Sequence, residues 1–195
     1  MLIKKSHDFL QYVSWAHAAI ELTIILAAVA TPQSIFAEHI LTFLFPNKDP
    51  SRIFLSPMCF LATVIMVTGA AIRVQCFREM GKYFTFSVTL LKDHKLITRG
   101  PYSYVRHPSY TGAFLNATAL VIWYTAQGSW LREREAHKIP VAWLILAPVI
   151  MILYLSILLF FRRIPAEDEI LRKTFGKEWD EWARNVPGRI IPGIY

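Results

Sequence analysis

The sequence predicts an all-α integral membrane protein with four to five transmembrane helices, and three observations carry that expectation. Of its 195 residues 54% are hydrophobic and 18% charged, where an average soluble domain carries about 25% charged residues. Mean hydropathy is positive, at +0.36. The charges are also kept out of long runs. Residues 53–72, 109–131 and 139–161 hold none, and each run reaches the roughly 20 residues needed to cross about 30 Å of hydrocarbon.

Taken in order, the chain reads as spans over about 9–31, 53–76, 109–131 and 139–162, all within one membrane domain over 1–195. The first span is less pure, because His17 and Glu21 lie inside it, and Pro32 ends it. Residues 33–45 are apolar but too short to cross directly, so a partial or tilted helix is expected there. The first apolar run is longer than the core of a signal peptide, and no cleaved leader is expected. Cys59 lies within a span and Cys76 at the end of the same one, so two inert thiols are expected rather than a disulfide.

Basic residues orient the spans. Arg73, Arg78, Lys82, Lys92, Lys95, Arg99 and Arg106 face only Glu79 and Asp93 in the same stretch, which places 77–108 on the cytosolic side. Two spans later the tail over 162–195 is again rich in Lys and Arg, and parity returns it to that side. The net charge of +7 is explained by this topology and by attraction to anionic headgroups. No nucleic-acid module is visible.

The two cytosolic segments carry the chemistry. In the first, "KYFTFSVTL" alternates and predicts a short hairpin or irregular loop, after which Gly100, Pro101 and Pro108 keep "GPYSYVRHPSYTG" out of regular helix until the next span begins. Unpaired N–H groups at that helix start suit an anionic group. In the second, Pro165 followed by Glu167, Asp168 and Glu169 reads as a helix start. Leu171, Phe175, Trp179 and Trp182 then recur at helical spacing, giving an aromatic face along the headgroups or over the site.

Each feature also has a plain structural reading. Arg162 and Arg163 at the foot of a span can be snorkelling anchors, first-turn acids complement the helix dipole, and the tyrosines and tryptophans suit an interfacial belt. His17 and Glu21, one turn apart, can pair within the bundle or relay a proton. What favours a site is conjunction: an Arg-His-Pro cluster beside one span, and an Arg with acids beside another, on one membrane face.

The pattern R-H-P-x-Y-x-G is met by Arg106, His107, Pro108, Tyr110 and Gly112. A second pattern, R-x-x-x-E-[ED]-x-x-L-x-x-x-F-G-x-E-[YW], is met by Arg163, Glu167, Asp168, Leu171, Phe175, Gly176, Glu178 and Trp179. With "REMGKYFTF", "KDHKLITRGPY" and the closing "VPGRIIP", the chain from about 57 to 194 resembles the isoprenylcysteine carboxyl methyltransferase family. Asp168 stands where glutamate is commoner in that pattern, and Trp179 where tyrosine is.

The resemblance implies methyl esterification of the C-terminal carboxylate of a prenylated cysteine by S-adenosyl-L-methionine, in the endoplasmic reticulum membrane with the site facing the cytosol. It implies Arg163 and Glu167 as catalytic residues. Arg106, His107, Tyr102, Tyr110, Gly112, Pro108 and Leu96 would hold the cofactor, and Arg163, Phe175, Trp179 and Trp182 the substrate. The partners implied are the prenylated C-terminus of client proteins and the lipid bilayer, with no metal and no nucleic acid. No G-x-G-x-x-G follows a strand, so the cytosolic loop and C-terminal helix are expected to form a non-Rossmann cofactor site. Two other enzyme classes share parts of this pattern: a phospholipid N-methyltransferase, whose amine must lose a proton, and a NADPH-dependent sterol or enone reductase. A non-catalytic membrane scaffold would need neither motif.

Overall fold

The computed structural model describes residues 2–30, 34–45, 49–83 and 95–193, and every regular element among them is helical. Seven α-helices follow in order: α1 (Leu2–Ala30), α2 (Ile35–Leu44), α3 (Pro57–Met80), α4 (Pro108–Thr125), α5 (Trp130–Glu133), α6 (Trp143–Phe175) and α7 (Lys177–Asn185). The expected hairpin or loop lies largely outside the described residues, apart from a 3-10 turn at Gly81–Tyr83.

Among the described residues, three helical segments are long and apolar enough to cross a membrane: Tyr12–Val29, Pro57–Tyr83 and Pro140–Phe175. Large apolar side chains stand uncovered along them, among them Leu144, Ile150, Met151, Tyr154 and Leu158 on α6. A helix that keeps such residues outside has hydrocarbon as its solvent. The crossing expected over 109–131 takes a shorter form, because α4 stops at Thr125 and a turn leads into α5. Its 18 residues rise about 27 Å, and Ser109, Thr111 and Asn116 dilute its apolar character. Helix α2 has ten residues, or about 15 Å, which is the short helix expected before the second span.

Two expectations for the C-terminal region are corrected. Pro165 does not begin a helix, since α6 runs through it without a break for 33 residues. Proline removes one N–H and crowds the carbonyl four residues earlier, yet Ile164 is fully buried and Asp168 nearly so. Tertiary packing on both sides of the proline holds the helical path. The aromatic residues, in turn, do not share one helix: Gly176, at φ 54, separates Phe175 on α6 from Trp179 and Trp182 on α7. That conformation favours glycine.

The chain forms two compact units. The first comprises Met1–Thr63 and Ala119–Ile152. There Glu21 of α1 accepts the Trp130 backbone N–H at 2.7 Å and the Trp123 indole N–H at 3.2 Å, while Trp130 Nε1 donates to the Leu44 carbonyl at 3.0 Å. His17 stands edge-on to Tyr124, with ring centroids 4.8 Å apart, and its Nε2 is 3.7 Å from Glu21. The polar pair inside the first span therefore ties α1 to the turn after α4.

The second unit comprises Val64–Thr118 and Leu153–Tyr195. Here α3 and α4 approach backbone to backbone at Gly69 and Gly112: a Cβ on Gly112 would stand 2.6 Å from the Gly69 carbonyl oxygen and 2.7 Å from Cγ of Arg73. Neither helix backbone can yield cheaply. Gly112→Ala is therefore expected to destabilise the protein by about 1–3 kcal/mol, the usual cost of overpacking, read as a lower unfolding temperature in lipid; an unchanged temperature would show that the helices separate freely.

Below this crossing, Cys76, Tyr102, Trp179, Trp182 and Val186 form a buried apolar cluster, with Leu96, Leu171 and Phe175 packed against it. Trp182 Nε1 donates to the Tyr102 carbonyl at 3.2 Å. The tail after α7 then runs beside the Arg-His-Pro segment: the Arg106 and His107 N–H groups donate to the Gly188 and Arg189 carbonyls, each at 2.9 Å, and Thr111 Oγ1 donates to the Ile190 carbonyl at 2.7 Å. This extended strap holds the loop against α6.

Candidate active site

Both sequence motifs converge within the second unit on one ring of charge. His107 precedes the buried Pro108 that opens α4, so its side chain is fixed by the helix start and by the strap. It is 6% exposed. Its Nε2 lies 2.9 Å from Asp168 Oδ1 and its Nδ1 3.5 Å from Glu167 Oε2. Burial alone would lower the His107 pKa, but the hydrogen bonds to the Asp168 and Glu167 carboxylates outweigh it and raise the value. The imidazolium is thus favoured, and Nε2–H donates to Asp168.

Glu167 and Asp168, adjacent on α6, collect different partners. Glu167 Oε1 accepts from the Tyr110 hydroxyl and from Arg163 Nε, both at 2.8 Å. The Arg163 guanidinium also stands 5.9 Å from the centre of the Tyr110 ring. Asp168 Oδ2 faces Arg106 at 3.4 Å and Arg189 at 3.2 Å. Among the described residues, Arg106, His107, Arg163 and Arg189 are thus drawn to the carboxylates of Glu167 and Asp168.

Among the described residues, two buried donors in this region, Nε of Arg106 and Nε1 of Trp179, have no hydrogen-bond partner, nor has the buried acceptor Oδ2 of Asp168. The two donors are close, for the Arg106 guanidinium carbon is 5.5 Å from the Trp179 ring centre. Buried donors are nearly always satisfied, so this pair is suited to a ligand that brings acceptors.

Arg106, His107, Tyr110, Arg163 and Glu167, singled out from the sequence, are brought together. Leu96, Tyr102, Phe175, Trp179 and Trp182 fall in the apolar cluster instead, with Trp179 touching both regions through Arg106. Pro108 and Gly112 shape the backbone: one is fully buried at the helix start, the other lets α3 and α4 meet. Sequence reasoning missed Arg189. Its only signal was position, a basic residue within the extended "VPGRIIP" tail.

Because His107 has a raised pKa, its contribution to stability is fully present below its unfolded value, about 6.5, and is lost as pH rises through the folded value. Unfolding temperature should therefore fall on going alkaline through that window, and His107→Gln should flatten the dependence. A profile with the same slope in both proteins would remove His107 from the account.

Apolar helices long enough to cross a membrane, with a buried cluster of opposed charges, define a class: among the described residues, an all-helical integral membrane protein. Residues 61–128 match the model of the Isoprenylcysteine carboxyl methyltransferase (ICMT) family. The chain is 29% identical over 131 residues to a probable protein-S-isoprenylcysteine O-methyltransferase of Oryza sativa subsp. indica, covering 65% of this chain and 58% of the relative. It is 30% identical over 159 residues to the protein-S-isoprenylcysteine O-methyltransferase of Saccharomyces cerevisiae, covering 78% and 57%. A Delta(14)-sterol reductase of Mus musculus is 32% identical over 101 residues, covering 52% of this chain and 20% of the reductase. The chain spans 44% to 58% of the length of the isoprenylcysteine methyltransferases it matches.

Proposed function

We propose that this protein transfers a methyl group from S-adenosyl-L-methionine to the C-terminal carboxylate of a prenylated cysteine, in the endoplasmic reticulum membrane with its site facing the cytosol. The observation that carries the reading is the buried ring of charged side chains uniting the two motifs, within a chain whose residues 61–128 match the methyltransferase family model. The donor is polar and arrives from water, whereas the prenyl chain stays in lipid. A site at the ends of apolar helices serves both.

The residues present fit the donor. The unpartnered Arg106 and Trp179 N–H groups match its carboxylate and its ring acceptors, and the Glu167–Asp168 pair matches its positive charges. When bound, the donor supplies an electrophilic methyl on a sulfonium. The remaining work is positioning. An α-carboxyl group ordinarily titrates at about 3.3–3.7 and is already ionised at neutral pH, so no base is needed. Arg163, its Nε held by Glu167, would orient the acceptor carboxylate, and His107 and Arg106 would fix the donor side. No side chain would have to take up or give a proton in such a transfer. Leu171, Phe175, Trp179 and Trp182 would exclude water.

The likeness to a sterol reductase over about half of the chain supports a second reading, hydride transfer from NADPH to an enone, and one experiment separates them. Purified protein in lipid, given radiolabelled S-adenosyl-L-methionine and N-acetyl-S-farnesylcysteine, is expected to form a base-labile ester, and Arg163→Ala to lose it while remaining folded. Saturable NADPH binding without ester formation would replace the methyltransferase reading. Base-stable label in phospholipid would turn it to N-methylation.

A further inference from the structure

One carboxylate oxygen of the ring is contested. Asp168 Oδ2 is buried, with Arg189 Nε at 3.2 Å and Arg106 Nη2 at 3.4 Å, and among the described residues it accepts a hydrogen bond from neither. Charge-assisted N–H···O bonds usually close to about 2.7–2.9 Å. The other oxygen of the same group does so, since Oδ1 stands 2.9 Å from His107 Nε2. Oδ2 is thus divided between two cations, and neither has taken it.

The two claimants are held differently. The Arg106 side chain is 10% exposed, and its Nε is one of the two buried donors without a partner. The Arg189 side chain is 34% exposed and springs from the tail, where the Gly188, Arg189 and Ile190 carbonyls receive the Arg106 N–H, the His107 N–H and the Thr111 hydroxyl. These main-chain bonds fix where the residue 189 side chain begins, whatever that side chain is. Burial disfavours the Arg106 cation, Asp168 restores it, and the Arg189 charge opposes it again, so the two guanidinium groups act on each other across one oxygen. Without Arg189, a shift of about half an ångström from 3.4 Å would give Arg106 a full charge-assisted bond to Asp168. An enclosed guanidinium gains strongly from such a bond. Its fork would then turn onto Asp168 and leave its place over the Trp179 ring.

We propose that Arg189 is a positioning residue for the methyl donor: by engaging Asp168 Oδ2 from the tail, it keeps Arg106 from closing on that oxygen and leaves the Arg106 and Trp179 N–H groups available to the donor's acceptors. This rests on the donor assignment in the proposed function. Arg189 acts through Arg106 and has no need to touch either reactant. The tail then does more than strap the loop in place, because donor affinity depends on a residue outside both motifs.

The test is equilibrium binding of radiolabelled S-adenosyl-L-methionine to the protein in nanodiscs, with thermal unfolding followed in parallel. Arg189→Gln is expected to weaken donor binding about tenfold, the loss of one charge-assisted hydrogen bond, and to change affinity for N-acetyl-S-farnesylcysteine by less than about twofold. Arg189→Lys keeps a cation beside Asp168 and should recover most of the loss. In Asp168→Asn the charge that draws Arg106 is gone, so adding Arg189→Gln to that variant should cost less than about twofold. Direct attraction between Arg189 and the donor would instead cost the same factor in both backgrounds, and that result overturns the inference. Wild-type donor affinity in Arg189→Gln overturns it as well, and so does a parallel fall in donor affinity, acceptor affinity and unfolding temperature, the mark of a structural role. If Arg189→Gln does not fold, Arg189→Met, which keeps the length of the stem, is read against the same thresholds. Wild-type protein that binds the donor and forms no ester overturns the proposed methyl transfer and leaves this inference standing; wild-type protein that binds no donor overturns both.

Discussion

Replacing Asp168 by alanine is expected to cost about 3–5 kcal/mol of stability, the usual consequence of removing one partner from a buried charge pair. Asp168 is 6% exposed and compensates three groups at once: His107 at 2.9 Å, Arg189 at 3.2 Å and Arg106 at 3.4 Å. Without it, the buried imidazolium keeps only the more distant Glu167, and Arg106, itself almost fully enclosed, keeps no carboxylate at all. His107 would then shed its proton more readily. Asp168→Asn should fall between wild type and alanine, because the amide retains the shape and one acceptor. Unfolding in lipid by heat, followed for all three proteins, checks the order; an alanine variant as stable as the wild type would show that solvent already screens the ring.

Glu167→Gln is expected to separate activity from folding. One oxygen of Glu167 receives both the Tyr110 hydroxyl and Arg163 Nε at 2.8 Å, and the other faces His107. An amide of the same size can keep one of those acceptors, but its NH2 group must then point at a donor. Arg163 would lose the charge that fixes its orientation, and the fold would keep its shape. If Arg163 orients the acceptor carboxylate, the rate of methyl transfer should drop by at least about 100-fold, the range seen when one preorganised electrostatic group is removed from an active site. Donor binding should change much less. A rate near the wild-type value would assign Glu167 a structural role, and attention would pass to Asp168.

The parts of this molecule legible in the sequence were those governed by hydropathy and local pattern. Long uncharged runs marked α3 and α6, and the Arg-His-Pro and Arg-x-x-x-Glu-Asp motifs marked the residues that meet at the site. What was hidden depends on contacts far apart in the chain. Pro165 carries every local sign of a helix start, yet Ile164 and Asp168 are buried by other segments and hold α6 continuous. Gly176 sits within an apparently unbroken helical spacing of aromatic residues, and only its positive φ reveals the corner between α6 and α7. Arg189 stands in a tail with no periodicity, and its relation to Asp168 follows from a strap whose hydrogen bonds join residues about 80 positions apart.

The continuity of α6 also makes it a depth gauge. Its 33 residues rise about 50 Å, whereas the hydrocarbon of a typical bilayer takes up about 30 Å. Arg163, Glu167 and Asp168 are thus fixed by covalent register to the same rod that the lipid must accommodate. Thickening the bilayer would draw these acids toward the acyl boundary, and thinning it would lift them into water, unless the helix tilts to compensate. The acyl-chain length of the surrounding lipid then becomes a variable acting on the chemistry, with no ligand involved.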